Sequence, residues 1–95
     1  MSDILIVDDE RDIRELISDI LQNEGYTTRL AGNSDQAMEE VASDQPALLI
    51  LDIWLKDSNM DGIDILKVVK RDYPDVPVVI ISGHGNIEIA VAAIK

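Results

Sequence analysis

Three short apolar runs punctuate the chain: Ile4-Leu5-Ile6-Val7, Ala47-Leu48-Leu49-Ile50-Leu51 and Val78-Val79-Ile80-Ile81. Their hydrophobicity is continuous rather than alternating, which predicts strands buried on both faces, as in a parallel sheet covered by helices. Tyr26-Thr27-Thr28-Arg29-Leu30 carries strand-forming residues with more polarity and suits an edge strand. Between these runs the spacing changes. Ile13, Leu16, Ile17, Ile20 and Leu21 recur at helical intervals and make one apolar stripe, with Gly25 placed to cap its C-terminal end. A second helix opens at Asn33 or Ser34, buries Ala37, Met38 and Val41, and has Pro46 at its far side. A third runs from about Gly62, turns Ile63, Leu66 and Val69 inward, and ends before Pro74. A fourth begins near Asn86, with Ile89, Ala90, Ala93 and Ile94 on one side.

Strands and helices thus alternate four times, and nothing in between resembles a linker, a repeat or a low-complexity tract. Alternation of this kind predicts a single α/β domain over residues 1–95, with a parallel sheet and right-handed crossovers. The pattern stops inside the fourth helix, at Ala92-Ala93-Ile94-Lys95, so the domain is expected to be incomplete at its C-terminus. The Val78–Ile81 strand would then be a bare apolar edge, a template for a homodimer formed by paired or exchanged elements.

Composition narrows this further. The 95 residues are 46% hydrophobic, enough for a core, but the only aromatics are Tyr26, Trp54 and Tyr73, so that core is aliphatic. Net charge is −11, from 19 acidic and 8 basic residues. A surface so acidic repels phosphate backbones and anionic lipid, which argues against direct nucleic-acid contact and against a membrane partner. The absence of cysteine excludes disulfides and thiolate metal sites and fits a cytoplasmic location. The N-terminus lacks a basic region, and its apolar run is too short for a signal peptide or a membrane span.

In open α/β sheets, ligands bind beyond the carboxyl ends of the strands. Asp8, Asp9 and Glu10 follow the first run, Asp52 follows the Ala47–Leu51 run, and Ser82 with Gly83 follows the last. Each has a bland explanation: acids before a helix favour its positive N-terminus, and Asp52 or Ser82 alone would suit a loop or a turn. Their arrival at one sheet edge is more telling. Clustered carboxylates repel one another, and a hard cation such as Mg²⁺, which takes carboxylate, water and phosphate oxygens, resolves the conflict. Asp52, held ionised, could then act as a nucleophile and form an aspartyl-phosphate, with Ser82 offsetting charge on the incoming phosphoryl oxygens.

"ILIVDDE", "LLILDIWL…MDG" and "VPVVIISGHG" together resemble the receiver domain of bacterial two-component response regulators, over essentially the whole chain. "LDIWLKDSNMDG" and "SGHGNIEIAVAAIK" look most like receivers of NtrX-type nitrogen-regulation regulators. The resemblance implies a flavodoxin-like (CheY-like) doubly wound sheet, ordered 2-1-3-4 here, with the family's fifth strand and helix absent from the chain. It implies phosphorylation of Asp52 by a sensor histidine kinase. Asp9 would bind Mg²⁺ directly, Asp8 through water, and Trp54 through its carbonyl, with Asp52 completing the metal site, while Ser82 would be the switch hydroxyl. It also implies an attached ATPase of the sigma-54 activator type and a DNA-binding domain in a longer protein that regulates transcription.

The sequence departs from the family in two places. Lys56-Asp57-Ser58-Asn59 replaces a proline-containing loop with a longer one, and the lysine and aromatic switch residue of the fifth strand have no counterpart. The alternative is a receiver-like module that binds partners without being phosphorylated. A haloacid-dehalogenase-type phosphatase would need a second carboxylate two residues after Asp52, where Trp54 stands. "GHGNIE" misses the dinucleotide fingerprint because Glu88 occupies its third small position. His84 reads as a loop residue, and Lys67, Lys70 and Arg71 as a solvated helix face.

Overall fold

A computed structural model of the chain describes residues 3–52 and 61–81, together with the backbone of 89–91. The elements are β1 (Asp3–Val7), α1 (Arg11–Asn23), β2 (Thr27–Ala31), α2 (Ser34–Ser43), β3 (Leu48–Asp52), α3 (Gly62–Asp72), β4 (Val78–Ile81) and β5 (Ile89–Val91). One sheet holds all five strands in the order β2-β1-β3-β4-β5. The first four are parallel, giving the 2-1-3-4 arrangement expected, with the polar strand β2 at one edge.

Local signals set the helix ends. The Asn33 side chain accepts from the Gln36 N–H and the Asp61 side chain from the Asp64 N–H, each satisfying an otherwise orphaned first-turn donor. At the end of α1 the Gly25 N–H donates to Gln22 O and the Tyr26 N–H to Leu21 O, a Schellman pair. That closure needs a left-handed residue, and Gly25 supplies it at φ 94°.

The core lies between the sheet and the α2–α3 layer. Leu5 pairs with Leu49 and Val7 with Leu51, and Leu49 and Leu51 pair in turn with Val78 and Ile80. Register partners in a sheet share a face, so these six side chains form one apolar surface. Ala37 and Val41 from α2, and Ile65 and Val69 from α3, close over it. Met38, Leu66 and Tyr73 pack around the rim. On α3 the inward stripe is therefore Gly62, Ile65 and Val69, whereas Ile63, expected inside, is exposed. Two apolar registers overlap in "GIDILKVV": Ile65 and Val69 lie four apart on one face, whereas the face of Ile63 continues through the exposed Lys67 and Lys70.

The other face is less completely covered. Helix α1 packs on β1 and β2, so Ile4 and Ile6 are buried, but Leu48, Ile50 and Val79 are only half-buried. Along its apolar stripe Ile13, Ile17 and Leu21 are half-buried, while Leu16 and Ile20 are each 55% exposed.

Residues 89–91 overturn two expectations. The segment is not part of a fourth helix: it is β5, antiparallel to β4, with Val79 opposite Val91, Ile80 opposite Ala90 and Ile81 opposite Ile89. Nor is β4 a bare edge, so the paired or exchanged dimer expected there loses its template. The physical reason is the same for both. An unpaired edge leaves a row of backbone donors and acceptors unsatisfied, and Ile-Ala-Val, with two β-branched residues, suits a strand as well as a helix.

Candidate functional site

Strand register builds the site. Val7 is the partner of Leu51, so Asp8, the next residue after β1, and Asp52, the last residue of β3, emerge side by side. Asp52 is in turn the partner of Ile81, the last residue of β4. Asp8 and Asp52 are each only 2% exposed, and Asp9 is half-buried. One carboxylate oxygen from each of Asp8, Asp9 and Asp52 lies within 4.8 Å of the others. Three of the residues singled out in the sequence are thus brought together. Trp54, Ser82 and His84 lie outside the described residues.

Asp8 is fixed at three points. Its N–H donates to Ala31 O (3.2 Å), its Oδ1 accepts from the Glu10 N–H (2.8 Å), and its backbone O accepts from Arg14 Nη1 (2.7 Å). The carboxylate bond to Glu10 forms a turn just ahead of α1, whose N-cap position is Glu10 itself. The helix-start explanation for Asp8 is therefore correct in part: its side chain does organise the entry to α1. It is incomplete, because the same carboxylate faces two others.

The electrostatics reflect that crowding. Burial, above all, pushes the Asp8 carboxyl up to about 6; the charges of Asp52, Asp9 and Glu10 push the same way, and the Glu10 N–H bond opposes them. Such a site stores unfavourable charge that a cation would relieve.

The donor set suits a hard divalent ion: three carboxylates and, among the described residues, no nitrogen or sulfur ligand. Mg²⁺ binds oxygen at about 2.1 Å, so opposite ligands stand about 4.2 Å apart. Oxygens spread over as much as 4.8 Å fit that ion if one carboxylate reaches it through water or the three close in slightly. Among the described residues, Asp8, Asp9 and Asp52 form the group able to hold a metal.

Sequence reasoning missed Arg14. Its signal was present, a cation among the half-buried α1 residues Ile13, Ile17 and Leu21, but its target is a backbone oxygen that no sequence pattern reveals. No helix among the described residues is long and apolar enough to cross a membrane.

Comparison with known proteins agrees with this geometry. A family model for the response regulator receiver domain matches residues 4–95. The nitrogen assimilation regulatory protein NtrX of Azorhizobium caulinodans is 58% identical over 93 residues, covering 98% of this chain and 20% of the relative. A putative NtrX-like response regulator of Rickettsia bellii is 56% identical, with the same coverage. The chain thus spans about one-fifth of the length of these curated relatives. The crystal structure of the receiver domain of NtrX from Brucella abortus superposes with a TM-score of 0.83 at 49% identity, covering 87% of this chain and 69% of that one. Response regulator TrrA from Thermotoga maritima, solved in complex with Mg²⁺-BeF, gives a TM-score of 0.82 at 32% identity, covering 90% of this chain and 72% of that one. With its 2-1-3-4 parallel sheet and an acidic triad at the strand ends, the chain belongs to the response regulator receiver domain family, as a signalling domain similar to that of NtrX.

Proposed function

We propose that this domain accepts a phosphoryl group on Asp52 from a sensor histidine kinase, in a Mg²⁺-dependent reaction, and signals the change to partners. The observation that carries the reading is the triad itself: two buried carboxylates and one half-buried one, with oxygens within 4.8 Å, at the sheet edge where α/β folds bind ligands. The Mg²⁺-BeF complex of the similar TrrA supports the choice of ion.

In this reading an Asp52 carboxylate oxygen attacks phosphorus. The new O–P bond forms as the P–N bond to the kinase histidine breaks, and the histidine nitrogen keeps the electron pair. Asp8, Asp9 and Asp52 would hold Mg²⁺, with the Trp54 carbonyl as a further ligand, and the bound ion would supply positive charge against the phosphoryl oxygens; the Ser82 hydroxyl would donate to the phosphoryl group. Attack by water on the same phosphorus later breaks the Asp52 O–P bond, releasing inorganic phosphate and returning the carboxylate, so the domain takes part in its own dephosphorylation without being an enzyme for an external substrate.

Phosphorylation replaces the single charge of the Asp52 carboxylate with the nearly two of an acyl phosphate, so about one negative charge is added at the strand ends, and this alters the face offered to partners. In a longer, cytoplasmic protein that face would control transcription through other domains, because a net charge of −11 does not favour direct DNA contact. Acetyl phosphate with Mg²⁺ tests the reading. Mass spectrometry should show one added phosphoryl group, lost in Asp52→Asn and without Mg²⁺. Unlabelled wild-type protein would leave the phosphorylation-independent interaction module as the reading.

A further inference from the structure

Arg14 sits on α1, half-buried, and donates from Nη1 to the backbone oxygen of Asp8 at 2.7 Å. That oxygen belongs to the Asp8–Asp9 peptide unit, whose other half is the Asp9 N–H. Because a peptide unit is planar, anchoring one end fixes the plane and with it the direction in which Asp9 leaves the chain. The preceding peptide is also anchored, through the Asp8 N–H on Ala31 O. Arg14 and the end of β2 therefore grip Asp8 from both sides, and the acidic loop is held by backbone bonds while its carboxylates face one another.

Gly32, the residue after Ala31, adds an independent observation. A Cβ built on Gly32 would lie 3.0 Å from Arg14 Nη1 and 3.5 Å from its Cζ. The Gly32 N–H donates to Gln36 Oε1 (2.8 Å), a bond that links the backbone there to α2. Any side chain at position 32 would press on the guanidinium that holds the Asp8 oxygen.

We propose that Arg14 is a positioning residue for the cation site, acting on Asp9 through the Asp8–Asp9 peptide, and that Gly32 is bare to admit its guanidinium. The inference rests on the Mg²⁺ reading given above and identifies what orients the ligands. Groups that orient a metal's direct ligands typically govern affinity 10- to 100-fold.

The bland competitor is a clamp that only fastens α1 to β1. The two differ in what they move: a clamp changes the stability of the metal-free fold, whereas a positioning residue changes the affinity of the folded protein for the ion. Mg²⁺ titration of the 95-residue chain by calorimetry at pH 7.5, beside urea unfolding in EDTA, reads both. Arg14→Met, which keeps an apolar stem and removes the donor, should raise the Mg²⁺ dissociation constant about 10-fold. Gly32→Ala, which leaves Arg14 in place but crowded, should raise it by less, and should add nothing in the Arg14→Met background.

Wild-type affinity in Arg14→Met would overturn the proposal and leave the metal reading intact. So would a Gly32→Ala effect that persists undiminished in the double variant. Should Arg14→Met fail to fold, Gly32→Ala alone decides: weaker Mg²⁺ binding supports the inference and unchanged binding overturns it. A wild-type chain that binds no Mg²⁺ would instead remove the metal reading and this inference with it.

Discussion

Val7 and Leu51 are register partners, so Asp8, the residue after β1, emerges beside Asp52, the last residue of β3. A shift of one residue between these strands would carry either Leu5 and Val7 or Leu49 and Leu51 away from the α2–α3 layer. The burial that fixes the core therefore also fixes the separation of the carboxylates, and the site inherits its geometry from the packing beneath it.

The first consequence is that the metal-free fold pays for its own site. The Asp8 carboxyl, raised from 3.8 to about 6, stays protonated in the folded state over a range where it ionises in the unfolded chain. Its contribution to stability is complete below about pH 4 and is lost as pH rises through 6. The full shift corresponds to roughly 3 kcal/mol; water reaching the sheet edge screens the charges and reduces this to about 1–2 kcal/mol. Asp8→Asn keeps an oxygen for the Glu10 N–H and removes the charge. Urea unfolding in EDTA at pH 7 should show the variant more stable than wild type by that amount, with the difference vanishing near pH 4.

Metal binding should show the opposite dependence. A ligand carboxylate must be deprotonated, so the ion and the proton compete for Asp8. Above pH 6 the Mg²⁺ affinity should be flat with respect to this group, and below 6 it should fall by up to about tenfold per pH unit. Titrations between pH 5 and 8 check this. In Asp8→Asn the affinity should be weaker throughout, and the slope assigned to Asp8 should disappear.

Much of this was legible in the chain itself. Continuous apolar runs identified β1, β3 and β4, polarity marked β2 as an edge, and Asn33 and Gly25 signalled where α2 opens and α1 closes. The chemistry at the strand ends followed, because residue order along parallel strands already says which side chains share an edge. Other features depended on contacts between segments distant in sequence. "IAV" at 89–91 satisfies helix and strand patterns alike, and pairing with β4 decides for the strand. Ile63 and Ile65 compete for the inside of α3 until packing on the sheet turns Ile65 and Val69 inward. Arg14 looks like an ordinary surface cation until the fold delivers the Asp8 oxygen to it.

Arg29 shows the same dependence on the fold. It lies on edge strand β2 with its side chain about one-fifth exposed, and pairs with Asp3 of β1 at 2.8 Å and Glu40 of α2 at 2.9 Å. Its guanidinium also donates to the carbonyls of Glu40 and Asp44 at the end of α2, where no basic residue of the helix itself is available. Truncation would strand partly buried acceptors on two elements at once. Arg29→Ala should therefore lower the unfolding free energy by roughly 2 kcal/mol. Arg11→Ala, which removes the exposed surface pair with Glu15, should cost far less. Chemical denaturation of both variants at two salt concentrations separates them, since only the exposed pair should weaken with salt.

The two faces of the sheet should respond differently to truncation. Leu49 is fully buried between β3 and the α2–α3 layer, so Leu49→Ala opens a cavity and should cost about 3 kcal/mol, within the usual 2–5 for such sites. Leu16 and Ile20 belong to a stripe whose spacing implies burial, yet each is 55% exposed. Removing them forfeits only the apolar area that is covered, and no sealed cavity forms. Leu16→Ala and Ile20→Ala should each cost under about 1 kcal/mol in this chain. Urea unfolding of the three variants side by side provides the comparison. A Leu16→Ala loss as large as that of Leu49→Ala would mean that something covers α1 in solution, and the sparse layer on that face would have to be redrawn.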